Sequence, residues 1–140
     1  MGKKQIWNTK VQMHYPEITE TALSPDGQSI VYTVKEPVMT KNKSKFITHL
    51  YMVGAEGGKA IQLTYGTSNN HSVKWSPDSQ YIAFLSDRTG KTNIHIIHRA
   101  GGESWALTKY KKTDIVTFIW APDGQGLAFL MPVPPSKKKK

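Results

Sequence analysis

One four-residue turn occurs three times in this chain: Ser24-Pro25-Asp26-Gly27, Ser76-Pro77-Asp78-Ser79 and Ala121-Pro122-Asp123-Gly124. A repeated unit that cannot bury its own faces must stack on its neighbours, so this repetition limits the chain to repeat architectures. Proline at the second position pre-sets φ, aspartate bonds its local backbone, and glycine at the fourth position tolerates φ > 0.

The flanks repeat as well. An alternating strand ending in Leu23, Trp75 or Trp120 precedes each turn. A second strand follows: Ser29 to Val34, Tyr81 to Ser86 and Gly126 to Met131. The first two copies continue with Leu50-Tyr51-Met52-Val53 against Ile94-His95-Ile96-Ile97. Gly57-Gly58 then matches Gly101-Gly102, and Leu63-Thr64 matches Leu107-Thr108. Pro25, Pro77 and Pro122 lie 52 and 45 residues apart, and the excess in the first copy sits in one polar insertion. Four strands in about 40–45 residues is the period of a β-propeller blade. In the second strand Ile82 and Phe84 point one way while Ala83 and Leu85 point the other. Such a strand is apolar on both faces, as a blade sandwiched between neighbours requires and a half-solvated sheet does not. The expected fold is all-β: an incomplete β-propeller of about two and a half four-stranded antiparallel blades.

The organisation follows in order. Residues 1–18 are a lead-in whose weak periodicity leaves an outer strand and a short helix both open. Blade one covers 19–64, with an insertion at 35–45 that is polar and contains Pro37. A loop or an extended, exposed hairpin fits the insertion. Insertions in repeat proteins often serve binding, and a plain solvated loop is favoured over that role. Blade two covers 65–108 and turns tightly at Asp87-Arg88-Thr89-Gly90-Lys91. Residues 109–131 are the first half of blade three. Residues 132–140, rich in Pro and Lys, form an expected disordered tail. A propeller needs at least four blades to close, so the chain is expected to be a fragment, or to complete a ring by self-association through open blade edges.

Charge and composition bound the partners. The formal net charge is +9, which raises nucleic acid. The lysines, however, cluster in the tail (Lys137 to Lys140), the insertion (Lys41, Lys43, Lys45) and one inter-blade loop (Lys109, Lys111, Lys112). No aromatic platform interleaves with them, so solubility is the expected role and no nucleic-acid partner is expected. There are no cysteines, which excludes disulfides and thiolate metal sites. No apolar run approaches the roughly 20 residues of a membrane span, and no apolar stretch follows the basic start as in a signal peptide. The expected location is cytoplasmic, without membrane contact.

Each motif that could carry chemistry has a structural reading that outweighs it. Gly102-Glu103-Ser104-Trp105-Ala106 approaches a serine nucleophile elbow but lacks the last glycine and falls where the repeat demands a fourth strand. Gly54 to Ala60 approaches a phosphate loop but is one residue short, lacks the hydroxyl and coincides with a duplicated hairpin turn. No pair among His14, His49, His71, His95 and His98 has helical metal spacing, and His95 and His98 point to opposite faces of one strand. His71 opens the inner strand of blade two, and an ordinary rim histidine is the favoured reading over a substrate contact. Asp26, Asp78 and Asp123 cap equivalent turns in separate blades, so they are expected not to converge. Trp75 and Trp120 are expected to fill the space between blades. Asn42-Lys43-Ser44 and Asn70-His71-Ser72 match the glycosylation sequon, which matters only in a secreted protein. The expected set of catalytic, cofactor-binding and metal-binding residues is therefore empty, and no cofactor is expected.

The repeat as a whole resembles the TolB-like propeller repeat. Trp75-Ser76-Pro77-Asp78, Ile82 to Arg88, Gly101-Gly102 and Leu107-Thr108 carry the likeness, which covers most of Thr19 to Met131. The order of Leu23 to Val34, the basic insertion, His49 to Val53 and Gly57-Gly58 is also similar to the start of acylaminoacyl-peptidase- and dipeptidyl-peptidase-like members of the prolyl oligopeptidase family. The resemblance implies an N-terminal propeller segment that gates short peptides towards a C-terminal α/β-hydrolase domain holding a Ser-His-Asp triad. This chain contains neither that domain nor the remaining blades, so no triad residue carries over and hydrolysis by the chain itself is not expected. A non-enzymatic TolB-like module for protein–protein interaction is the competing reading.

Overall fold

Turn chemistry sets the frame. At the first turn the Ser24 hydroxyl donates to Asp26 Oδ1, the same oxygen accepts the Gln28 N–H, and Ser24 Oγ accepts the Ser29 N–H. Ser76, Asp78, Gln80 and Tyr81 repeat this pattern. The third turn has Ala121 in place of the serine and keeps the Gln125 N–H to Asp123 bond at 3.0 Å. The fourth residue adopts positive φ in every copy: 73° at Gly27, 63° at Ser79 and 74° at Gly124.

The computed structural model describes residues 16–40 and 43–133, without the side chains of 40, 43 and 44. Readings made for the start of the lead-in and for the end of the tail, and the sequon at Asn42, lie outside the described residues. The elements are β1 (Glu17–Leu23), β2 (Ser29–Thr40), β3 (Lys43–Gly54), β4 (Ile61–Gln62), β5 (Asn70–Trp75), β6 (Tyr81–Thr89), β7 (Lys91–His98), β8 (Trp105–Ala106), β9 (Thr117–Trp120) and β10 (Leu127–Leu130). They form two four-stranded sheets, β1-β2-β3-β4 and β5-β6-β7-β8, and the two-stranded sheet β9-β10. All pairings are antiparallel, and there is no helix among the described residues. The chain is thus an all-β, incomplete propeller with its sheets stacked side by side.

Of the two forms open to the insertion, the structure shows the hairpin. β2 and β3 are 12 residues each and stay in register to Thr40↔Lys43, so the insertion is an extended β-hairpin. Pro37 is tolerated because β1 pairs β2 no further than Lys35. Beyond that point one edge of β2 faces no strand among the described residues, and a residue without an N–H breaks no ladder bond there.

The outer strands β4 and β8 are only two residues long. The Leu-Thr signature extends them by side chain. Leu63 and Leu107 donate backbone N–H to the carbonyls of Leu50 and Ile94. The next hydroxyl, Thr64 or Thr108, accepts the N–H of the same Leu50 or Ile94. A hydroxyl thus replaces the next rung of the ladder and leaves no buried amide unpaired.

Two apolar seams hold the sheets together. Val31, Leu50, Leu63, Val73, Trp75, Ile82, Phe84 and Ile97 fill the space between the first and second sheets. Ala83, Leu85, Ile94, Ile96, Ile115 and Phe118 fill that between the second and third. Sheet two is buried on both faces, as its doubly apolar β6 requires.

Candidate functional site

The seam between blades one and two is where polar side chains from distant parts of the sequence converge. At one rim the two Pro-Asp turns lie side by side. The Asp26 N–H donates to Ser79 Oγ at 3.0 Å. Arg99, just past β7, donates through Nη1 to Asp26 Oδ2 at 2.8 Å and to the Ser79 carbonyl at 2.9 Å, and through Nη2 to Ser29 Oγ. Its guanidinium lies 5.6 Å over the Trp75 ring. The hydrogen bonds from Ser24, Arg99 and Gln28 hold the Asp26 carboxyl down at about 2. Asp78, capped by Ser76 and Gln80, is also lowered. The three turn aspartates do not converge, as expected, although Asp26 gains a cross-blade partner that its sequence neighbours do not announce.

The tryptophans seal the seams and also bridge them. Trp75 Nε1 donates to the Ala22 carbonyl at 2.9 Å, and Trp120 Nε1 to the Lys74 carbonyl at 3.0 Å. The Lys74 ammonium lies over the Phe118 ring, 5.0 Å from its centroid, and donates to the Phe118 carbonyl. Each inner strand is thus fastened to the next through its backbone.

At the opposite rim Asn70 is fully buried and donates to the carbonyls of Thr48 and Ser68. Its Oδ1 accepts from Arg88 Nη2 at 2.9 Å. Arg88 also reaches the hydroxyls of Ser86 and Ser104 and lies 5.5 Å over the Phe84 ring. Asn70 is therefore a structural donor inside the seam, its second sequon reading set aside by burial. Next to Phe84 stacks His95, with ring centroids 5.9 Å apart. His95 is 2% exposed, and its Nε2 is buried with no hydrogen-bond partner. Burial, assisted by the charge of Arg88, pushes its pKa down to about 4, so the ring is neutral at physiological pH.

The other candidate residues stay apart. His49 bonds Thr64 Oγ1 and the Gly66 carbonyl, which makes Nε2 the protonated nitrogen and Nδ1 the acceptor. His71 is exposed on β5 and bonds Ser72 Oγ. His98 Nδ1 accepts the Ala100 N–H while its ring meets Tyr81 edge-on at 5.2 Å. No group of three metal-ligating side chains occurs among the described residues. Ser104 precedes β8 and accepts from Arg88, with no strand-to-helix elbow around it. Gly57 and Gly58 take positive φ in the β3–β4 turn, as a hairpin requires.

Comparison with known proteins accounts for this arrangement. The family described as "TolB beta propeller domain" matches residues 17–133. The chain belongs to that family. Among curated relatives, dipeptidyl-peptidase 5 of Porphyromonas gingivalis is 30% identical over 128 residues, covering 91% of this chain and 18% of that protein. Dipeptidyl-peptidase 5 of Porphyromonas endodontalis is 31% identical over 108 residues, with coverages of 77% and 15%. An uncharacterized peptidase, YuxL of Bacillus subtilis, is 29% identical over 111 residues, with coverages of 79% and 16%. The chain thus spans less than a fifth of the length of these relatives. Among solved structures, a TolB-like protein of Agrobacterium tumefaciens superimposes with a TM-score of 0.62 at 23% identity, over 81% of this chain and 39% of that one. TolB of Acinetobacter baumannii gives 0.58 at 21%, over 78% and 25%. These two carry the fold alone.

Proposed function

We propose that this chain is a segment of the substrate-gating propeller of a serine peptidase of the prolyl oligopeptidase type. The supporting observation is the likeness to relatives named as peptidases along most of the chain, in a segment whose own polar clusters are spent on joining blades. In this reading the stacked sheets form part of a rigid wall that admits short peptides and excludes folded ones. Acyl transfer by a serine, assisted by histidine and aspartate, takes place in a hydrolase domain outside these residues. The partners are that domain, further blades and peptide substrates, in the cytoplasm, with neither nucleic acid nor membrane involved.

A fluorophosphonate that labels activated serines tests the reading. A longer protein containing this segment should be labelled and should cleave short peptides in preference to long ones, while the 140-residue chain should not be labelled. Absence of labelling in the longer protein would favour the competing reading, a TolB-like module that binds a protein partner. The superposition on TolB-type propellers is the observation that keeps that alternative in view.

A further inference from the structure

The outer edge of β3 is closed rung by rung until the strand leaves the blade. Leu50 gives its N–H to Thr64 Oγ1, and its carbonyl accepts from the Leu63 N–H. Two residues earlier, Thr48 gives its N–H to Asn69 Oδ1, and its carbonyl accepts from Asn70 Nδ2. Alternation turns the backbones of Phe46 and Ser44 the same way, away from β2, while Ile47 and Lys45 face Glu36 and Val38. No partner among the described residues meets the Phe46 backbone. In blade two the equivalent residue is Gly90, already in the turn, so this rung belongs to the insertion alone. Opposite Phe46 on β2 stands Pro37, which has no N–H to offer. Of the two hairpin edges, β3 is therefore the one that both donates and accepts at this rung. Phe46 is 53% exposed with the Lys35 ammonium 4.8 Å over its ring, and Met39 on the same face is 82% exposed. Across residues 35–45, Lys35, Lys41, Lys43 and Lys45 outweigh the single acidic residue, Glu36.

We propose that this edge docks an extended acidic segment of a separate protein, which adds beside β3 as a further strand. The segment exchanges backbone hydrogen bonds with Phe46 and Ser44, lays an apolar side chain against the Phe46 ring and sets a carboxylate across from Lys45. Charge complementarity selects the acidic partner, and the ladder selects a polypeptide. Nucleic acid and anionic lipid match the charge but do not supply alternating N–H and C=O groups. A second copy of this chain supplies the ladder but brings one lysine-bearing edge against another, which is unfavourable. The inference is independent of the peptidase reading and involves neither a hydrolase domain nor further blades.

The test titrates the 140-residue chain with a capped peptide of alternating glutamate and valine, about eight residues long, enough to span the edge. Residue-resolved hydrogen exchange reports the contact, and anisotropy of a fluorescein-labelled peptide reports affinity. Without peptide, the Phe46 amide should exchange about tenfold faster than that of Ile47, which faces β2, and about 1 mM peptide should slow it about tenfold. The same sequence fully N-methylated keeps its charge and loses every donor, so it should bind about tenfold more weakly, as should a lysine–valine peptide. Lys45→Glu should weaken binding of the glutamate peptide by a similar factor while shifting Tm by less than about 2 °C, as for a surface position. Protection of the Phe46 amide without peptide would overturn the proposal, because the edge would already be closed. Equal binding of the methylated peptide, or of a thymidine oligonucleotide of the same length, would overturn it too, since charge alone would then suffice. So would self-association of the chain that protects the Phe46 amide, or no slowing of that amide by the glutamate peptide.

Discussion

Lowering the pH from about 6.5 towards 4 should loosen the seam between blades one and two through His95. His95 is 2% exposed, stacked on Phe84 and beside Arg88, and its pKa is pushed down to about 4 from an ordinary 6.5. The unfolded chain takes up this proton near pH 6.5, whereas the folded chain resists it down to about 4. The stabilisation is therefore complete above pH 6.5 and is lost as the pH falls towards 4. At about 1.36 kcal/mol per pH unit the full displacement corresponds to about 3 kcal/mol, and local relaxation around a charged ring reduces the expected loss to about 2 kcal/mol. Urea unfolding at pH 7.5, 6.5, 5.5 and 4.5 measures it directly, with His95→Phe as the comparison. Phenylalanine preserves the stack on Phe84 and removes both the proton and the orphaned nitrogen. The variant should hold a nearly level midpoint between pH 6.5 and 4.5 while the native chain falls. Equal slopes in the two proteins would refute the argument, as would a histidine signal for His95 titrating near 6.5 in the folded state.

Trp75→Phe should cost about 1–2 kcal/mol in thermal or urea unfolding, since it leaves the Ala22 carbonyl without its donor, and Trp120→Phe should act the same way at the Lys74 carbonyl. Thr108→Val should cost about 1–3 kcal/mol and abolish hydrogen-exchange protection at the Ile94 amide, because it removes both that acceptor and the donor to Asn93 Oδ1. Asp26, held at about 2, stabilises the fold above its unfolded value of about 3.8 and stops doing so as the pH falls through 2. Asp26→Asn should therefore flatten the pH dependence between about 4 and 2 and leave the histidine window unchanged, as read in the same unfolding series.

The sheets were legible because their turns are chemically explicit. Serine, proline, aspartate and a residue of positive φ occur in fixed order, and Ile82 to Leu85 announce burial on both faces. The Leu-Thr pair was visible as a signature before its purpose was. Only the geometry shows the hydroxyl standing in for a strand rung. The insertion left loop and hairpin both open, because Pro37 and the lysines fit either in isolation. What admits the proline is the end of β1 pairing at Lys35, a property of another strand. The Arg99 contact was invisible for a different reason. It joins side chains 73 positions apart, and the equivalent residue of blade one is Ala55, so the repeat gave no second example. For His95, alternation fixed the face but could not show that its nitrogen would meet no partner there.

The indole fastening has a consequence for how such chains can change. Its donor is a particular side chain, but its acceptor is a peptide carbonyl, a group every residue carries. The residues offering that carbonyl are alanine and lysine, two unrelated chemistries. Recognition is therefore one-sided: blades two and three each depend on their own tryptophan, while the blade that receives it is free to drift at that position. A duplicated unit would fit beside a diverged neighbour without any compensating substitution in it. Mutational tolerance along the ring should accordingly be directional, low at the donor and high at the acceptor of the same contact.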